Sequence, residues 1–281
     1  LTARRISGAA TVAGVVGRPI AHSLSPLIHT SWIEAAKLDA AYVPFSPPDE
    51  NFEKFTRSLR GGAIRGLNVT APFKERALAL ADDADSAARA GGSANLLLFH
   101  EDGMIEARST DGEGLIAAFA EQAPALDLAQ GPVAILGAGG AARAAAAALL
   151  AAGAPEILVL NRSAARAEEL VFALKSERIT AHGLADAERL FPRVQALVNA
   201  AAGGPLAPIN TLDAGATVMD MTYRPLKTAL LRAAGARSLA TVDGLSMLIN
   251  QAKPSFEAFF GQAPPAIDVR VLALKALEAA A

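Results

Sequence analysis

The feature that most constrains this chain is the run Val133-Ala134-Ile135-Leu136-Gly137-Ala138-Gly139-Gly140-Ala141-Ala142-Arg143. A short β-rich apolar run enters a glycine turn, and an alanine-rich helical pattern follows at once. Gly137, Gly139 and Ala142 stand at the spacing G-x-G-x-x-G/A of a dinucleotide loop. The first glycine permits a sharp turn, and the second leaves room for backbone to approach a pyrophosphate. A small residue at Ala142 lets helix and strand pack closely. The first N–H groups of the helix then face the phosphates with the positive end of its dipole. An ordinary strand–turn–helix corner could carry the same glycines. Here a second strand, Glu156-Ile157-Leu158-Val159-Leu160, supplies the βαβ context that a dinucleotide site needs.

The end of that second strand bears on which dinucleotide. An NAD site usually carries Asp or Glu there, to bind the ribose 2′-hydroxyl. This chain instead reads Asn161-Arg162-Ser163-Ala164-Ala165-Arg166. Guanidinium groups bind phosphate oxygens through a planar fork of donors, and a carboxylate would repel them. Arg162 and Arg166 therefore favour NADP over NAD.

At 281 residues, the chain is longer than one hydrophobic core usually spans, so two domains are expected. A formal net charge of −2 offers no electrostatic case for nucleic acid or a membrane surface as partner. There are no cysteines, so disulfides and thiolate metal sites are excluded. The four histidines are scattered without the spacing of a zinc site, and no metal is expected. The longest apolar run, Ala144 to Ala154, falls short of the roughly 20 residues that span a bilayer. The start, Leu1-Thr2-Ala3-Arg4-Arg5, does not read as a secretory leader. The expectation is a cytoplasmic protein acting on a small molecule.

In chain order, Thr11 to Gly17 reads as a strand, followed by the loop Arg18-Pro19-Ile20-Ala21-His22-Ser23-Leu24-Ser25-Pro26. Ser23 and Ser25 can face one cleft and donate to a carboxylate. Equally, Ser25 can be the N-cap of a helix over Leu27 to Lys37, with Pro26 at its first position. Ala41 to Phe45 is a strand, Glu50 to Arg60 an amphipathic helix and Ile64 to Thr70 a strand. That last strand ends near Asn68, Thr70 and Lys74, making Lys74 a candidate for acid/base work. Ala77 to Arg89 reads as one helix. Leu96 to His100 and Ile105 to Ala107 read as a hairpin around Asp102-Gly103. Asp111 precedes a helix over Glu113 to Glu121, where it is either a cap or a cleft residue. Beyond the dinucleotide unit, Ala196 to Ala200 and Thr217 to Met221 are buried strands. Alternating strands and helices argue for a doubly wound parallel sheet, whose strand ends would bring Asn199, Met221 and Tyr223 to a ligand. A helix starts near Gly244, with Met247 and Gln251 one turn apart on one face.

Taken together, these blocks resemble the shikimate dehydrogenase family, nearly end to end. They are H-S-x-S-P at His22 to Pro26, N-V-T-x-P-F-K at Asn68 to Lys74, and Thr110-Asp111-Gly112. The glycine loop, Asn161-Arg162 with Arg166, Asp220-Met221-x-Tyr223, and Asp243-Gly244-x-x-Met247-Leu248 with Gln251 follow in order. The resemblance implies an α/β protein of two domains. One is an N-terminal α/β substrate domain, residues 1–110 plus 245–281. The other is a Rossmann-type doubly wound NADP-binding domain, residues 111–244, with a cleft between the two. It implies Lys74 and Asp111 as the catalytic pair and Ser23 and Ser25 on the substrate carboxylate. Asn68, Thr70, Asn95 and Gln251 would hold ring hydroxyls, with Tyr223 lining the site. Gly137, Ala138, Gly139, Gly140 and Ala141 would cradle the pyrophosphate. Asn161, Arg162 and Arg166 would surround the 2′-phosphate, and Met221, Gly244 and Met247 would border the nicotinamide. The reaction implied is reversible reduction of 3-dehydroshikimate to shikimate by NADPH, in a monomer or homodimer.

The chain departs from the family pattern at several places. Leu96 replaces the Thr of an N-T pair, Ser109 the Asn of N-T-D-G, and Ser246 the second Gly of D-G-L-G. Asn199-Ala200-Ala201-Ala202 stands where N-A-T-S is usual, and Ala229 where a Pro is common. These positions bear on preferred substrate and rate rather than on reaction type. Quinate or another shikimate-like cyclic hydroxy acid is the alternative substrate, although retention of both Ser23 and Ser25 leans towards shikimate. A non-catalytic NADP-binding sensor is the alternative class, and the presence of both Lys74 and Asp111 speaks against it.

Overall fold

The structure, a computed structural model, describes residues 6–201 and 208–279. Ala202 and the Leu1–Arg5 start therefore lie outside the described residues. The chain forms two compact units. One runs to Thr110 and resumes at Gln251, and the other is Asp111–Asn250.

The first unit contains β1 (Thr11–Val16), α1 (Ser25–Ala35), β2 (Ala40–Phe45), α2 (Phe52–Arg57), β3 (Gly66–Val69) and α3 (Lys74–Leu80). It continues with β4 (Asp83–Ala84), α4 (Ser86–Gly91), β5 (Leu96–Phe99) and β6 (Ile105–Arg108). The strand order is β2-β1-β3-β5-β6-β4. β1 pairs in parallel with β2 and β3, whereas β5 runs antiparallel to both β3 and β6. Val16, Leu67, Val69, Leu97 and Phe99 from these strands meet Phe52 and Phe73 in one buried cluster. The rings of Phe52 and Phe73 stack 4.3 Å apart.

Two local expectations change here. The helix after the Ser-Pro pair starts at Ser25 itself, so its N-cap is Leu24, which offers no side-chain cap. The stretch expected as one helix over 77–89 is two helices with the short β4 between them. Asp82 is drawn away to Arg60 and to the N–H of Ile105. Asp85 then caps the new helix by accepting from the Ala88 N–H at 2.6 Å.

The second unit begins with α5 (Asp111–Gln122), β7 (Val133–Leu136), α6 (Gly140–Ala151), β8 (Ile157–Asn161), α7 (Ala164–Leu174) and β9 (Ile179–Gly183). α8 (Ala187–Leu190), β10 (Ala196–Asn199), β11 (Thr217–Asp220), α9 (Ala229–Ala236) and β12 (Ala240–Asp243) complete the sheet region. All strand pairs are parallel, in the order β12-β11-β10-β7-β8-β9. This is the Rossmann order, with the sequence of connections reversing between β7 and β10. The pleat sends alternate residues to opposite faces. Val133, Ile135, Ile157 and Val159 enter one core, while Ala134, Leu136, Leu158 and Leu160 enter the other. Burial on both faces accounts for the unbroken apolar runs in the sequence.

α10 (Gly244–Phe260) carries the chain back into the first unit, and α11 (Val269–Ala279) follows. The return falls at Asn250/Gln251, six residues beyond the 244/245 junction expected from the sequence. Contacts made by the first turns of α10 explain the difference. Met247 lies in the second unit's core, and the Ser246 hydroxyl donates to Glu121 of α5 at 2.6 Å. Among the described residues, no helix is long and apolar enough to cross a membrane.

Candidate active site

In the first unit, three of the expected substrate residues belong to one hydrogen-bonded network. Asn68, near the end of β3, donates from Nδ2 to the Asn95 carbonyl at 3.2 Å. Asn95 donates from Nδ2 to Gln251 Oε1 at 2.7 Å and to Thr110 Oγ1 at 2.9 Å. Thr110 completes the knot. Its N–H donates to Asn95 Oδ1 at 2.8 Å and its hydroxyl to the Gln251 carbonyl at 3.0 Å. Asn95 and Thr110 are buried, so each polar group needs such partners. The Gln251 carboxamide is thereby oriented with its oxygen towards Asn95 and its amide donors outward from that bond.

The other expected residues of this unit stand nearby in the chain. Thr70, half-buried, follows β3, and its N–H pairs with Val16. Phe73 is fully buried against Phe52, which anchors the start of α3. Lys74 is the first residue of that helix and is half-buried. Its carbonyl accepts from the Ala94 N–H at 2.9 Å, fixing the lysine backbone beside Asn95. Ser23 and Ser25 are joined locally, with the Ser25 N–H donating to Ser23 Oγ at 3.3 Å.

Tyr42 and Ser255 also enter the network, and neither was singled out from the sequence. The Tyr42 hydroxyl donates to Asn68 Oδ1 at 2.7 Å. Burial raises its phenol pKa well above the ordinary value, opposed by a hydrogen bond from the Ser25 side chain. Asn68 also donates to Ser255 Oγ at 2.9 Å. A tyrosine inside an apolar strand signals that its hydroxyl needs a partner. Ser255 lies four residues after Gln251, on the same helical face.

In the second unit, β7 ends in the glycine turn. Gly137 is buried with φ +108°, a left-handed conformation that glycine adopts without a Cβ clash. Gly139 is exposed at the start of α6 and makes no side-chain cap; a Cβ there would meet nothing within 4 Å. Among the described residues, no atom stands where a side chain at that position would go. Ala138, Gly140 and Ala141 line the same turn, each half-buried. After β8, Asn161 donates to the Ser163 carbonyl at 3.1 Å. Arg162 and Arg166 are exposed, and neither forms an ion pair among the described residues. The loop, the uncapped helix start and the two guanidiniums fit a dinucleotide carrying a 2′-phosphate.

The full-length likeness decides the family. The shikimate dehydrogenase (NADP(+)) of Caulobacter vibrioides is 56% identical over 279 residues, covering 97% of this chain and 98% of that one. The chain belongs to the shikimate dehydrogenase family. The family described as shikimate dehydrogenase substrate binding domain matches residues 15–97. That described as shikimate / quinate 5-dehydrogenase matches residues 119–212. Among solved structures, shikimate 5-dehydrogenase from Thermus thermophilus in complex with NADP(H) and shikimate superimposes with TM-score 0.80 at 34% identity. It covers 91% of this chain and 95% of that one. Quinate dehydrogenase from Corynebacterium glutamicum in complex with NAD gives TM-score 0.86 at 26% identity, covering 95% and 99%.

Within this family frame, three residues acquire packing reasons of their own. A Cβ on Gly244 would lie 2.4 Å from the Met221 carbonyl oxygen, so glycine there makes room for the backbone leaving β11. Met247 is 7% exposed and belongs to the core, with Met221 packed against that core. Ser246, a departure from the family pattern, joins α10 to Glu121 and receives its own explanation from that bond. Asp111 is the buried first residue of α5, and Tyr223 is half-buried beyond β11.

Proposed function

We propose that this chain catalyses the reversible, NADPH-dependent reduction of 3-dehydroshikimate to shikimate. The observation that carries this reading is the near-complete match to the Caulobacter vibrioides shikimate dehydrogenase (NADP(+)). Chemistry local to each unit supports it. One unit offers a polar amide network suited to ring hydroxyls, and the other offers a glycine turn with unpaired arginines. NADPH, when bound, supplies the hydride.

The protein's part is to bind, orient and move a proton. Ser23 and Ser25 hold the substrate carboxylate. Asn68, Thr70, Asn95 and Gln251 hold the ring hydroxyls, and Tyr223 lines the site. As negative charge grows on the carbonyl oxygen, the Lys74 ammonium stabilises it and delivers the proton, while Asp111 orients the lysine. Gly137, Ala138, Gly139, Gly140 and Ala141 receive the pyrophosphate. Asn161, Arg162 and Arg166 take the 2′-phosphate, and Met221, Gly244 and Met247 border the nicotinamide. We assign the work to the cytoplasm and to a monomer or homodimer.

Turnover of shikimate and quinate, each with NADP and NAD, tests the assignment. Shikimate with NADP should give the highest kcat/KM. A preference for quinate would move the enzyme to the alternative that the Corynebacterium glutamicum likeness raises. Replacing Arg162 and Arg166 together by Ala should raise KM for NADP by about 10–100-fold, from the loss of charge-assisted phosphate contacts of about 1.5–3 kcal/mol. KM for NAD should move less than about threefold, because NAD has no 2′-phosphate. Equal losses with both dinucleotides would remove the arginines from the phosphate site.

A further inference from the structure

The Asn68 side chain is held at both ends by the protein, and two of the residues holding it, Tyr42 and Ser255, lie outside the proposed substrate contacts. Its Nδ2 faces the Asn95 carbonyl, which can only accept, so the amide nitrogen is fixed on that side. Its second Nδ2 hydrogen points to Ser255 Oγ at 2.9 Å. Ser255 is fully buried and donates its own proton to the Gln251 carbonyl at 3.2 Å, leaving a lone pair for Asn68. Oδ1 then faces the Tyr42 hydroxyl at 2.7 Å. The Tyr42 ring is 4% exposed and stacks on His29 at 4.1 Å with an interplanar angle of 1°. Register brings the elements together. Ala13 of β1 pairs with both Tyr42 and Gly66, so Tyr42 and Asn68 project from the same face of the sheet.

We propose that Tyr42 and Ser255 are positioning residues for substrate binding: together they fix the rotation and polarity of the Asn68 amide, so that Asn68 meets a ring hydroxyl as an acceptor. This inference rests on the assignment of Asn68 to the substrate. Both Nδ2 hydrogens are spent on the protein. Oδ1 has two lone pairs, of which Tyr42 takes one. Without the Tyr42 donor or the Ser255 acceptor, the amide loses one of the bonds that define its plane, and substrate binding must then order it.

The test is a double-mutant cycle on steady-state constants. Tyr42→Phe should raise KM for shikimate by about 3–10-fold, the range expected for one hydrogen bond. Turnover and KM for NADP should stay within about twofold. Ser255→Ala should act in the same direction and provides a second variant should Tyr42→Phe fold poorly. In an Asn68→Ala background, either change should add less than about twofold, because the side chain they position is gone. A purely structural role would instead shift KM equally in both backgrounds, or lower turnover and raise both KM values together. Either result overturns the inference, as does an unchanged KM in both single variants. If the wild-type protein turns over no shikimate, the functional assignment fails and this inference fails with it. If the wild type is active but the cycle shows no coupling, the inference alone is overturned.

Discussion

Lys74→Ala should lower kcat for shikimate oxidation by about 10²–10⁴-fold, the range typical of a positioned acid/base. KM for shikimate should change by less than about fivefold. The separation follows from where the lysine is proposed to act. Binding of the carboxylate and ring hydroxyls is assigned to Ser23, Ser25, Asn68, Asn95 and Gln251, groups that the substitution leaves in place. The ammonium is needed most when charge has accumulated on the carbonyl oxygen, so its loss raises the barrier more than it weakens the ground state. The fold should tolerate the change. Lys74 begins α3, alanine is a good helix former, and the bond from Ala94 is to the lysine carbonyl rather than its side chain. Steady-state kinetics with a circular-dichroism check on folding makes the measurement. Equal losses in kcat and binding, or no loss, would exclude Lys74 as the group that takes the hydroxyl proton in oxidation and returns it in reduction.

The parts of this molecule that are written locally could be read from the chain. The loop at Gly137 is one: its positive φ, the apolar strand before it and the helix after it all lie within about a dozen residues. The strands not legible in the sequence, β4, β9 and β12, are all edge strands of their sheets. Ile179–Gly183 and Ala240–Asp243 therefore carry polar and small residues where the inner strands carry apolar runs. The break between α3 and α4 depends on Arg60 and Ile105, each more than twenty residues from Asp82. At the site, residue types and spacing pointed to Asn68, Asn95 and Gln251. Nothing local announces that Asn68 bonds to Ser255, 187 positions away. Gly244 teaches the complementary lesson. A glycine beside an expected ligand reads as room for that ligand, yet the nearest claim on its space is the Met221 backbone.

His29→Leu should remove a large part of the acid sensitivity of the first unit. His29 lies within α1, fully buried, and neither ring nitrogen has a hydrogen-bond partner among the described residues. It is surrounded by rings: Tyr42 stacked upon it, Trp32 edge-on at 5.6 Å, and Phe256 and Phe259 about 6 Å away. Burial without a charged partner lowers its pKa from 6.5 to about 3. The Tyr42 phenol beside it is held neutral by its own upward shift, so it offers no counter-charge. Because the folded pKa is below the unfolded one, the unfolded chain binds the extra proton. Stability is therefore complete above pH 6.5 and is lost as pH falls from 6.5 towards 3. The linkage slope gives about 2 kcal/mol lost by pH 5 and about 4 kcal/mol by pH 3, against a usual total of about 5–15 kcal/mol. Leucine is of similar size and does not titrate, so the variant lacks this contribution, whatever the stacking was worth at neutral pH. Trp32 is the chain's single tryptophan and touches His29, so its fluorescence reports unfolding of this unit. Urea unfolding at pH 7.5 and pH 5.0 should show a stability difference about 2 kcal/mol smaller in the variant than in the wild type. The carboxylates titrate alike in both proteins and cancel in that comparison. An identical difference in the two proteins would mean that His29 takes up its proton in the folded state as readily as in the unfolded chain.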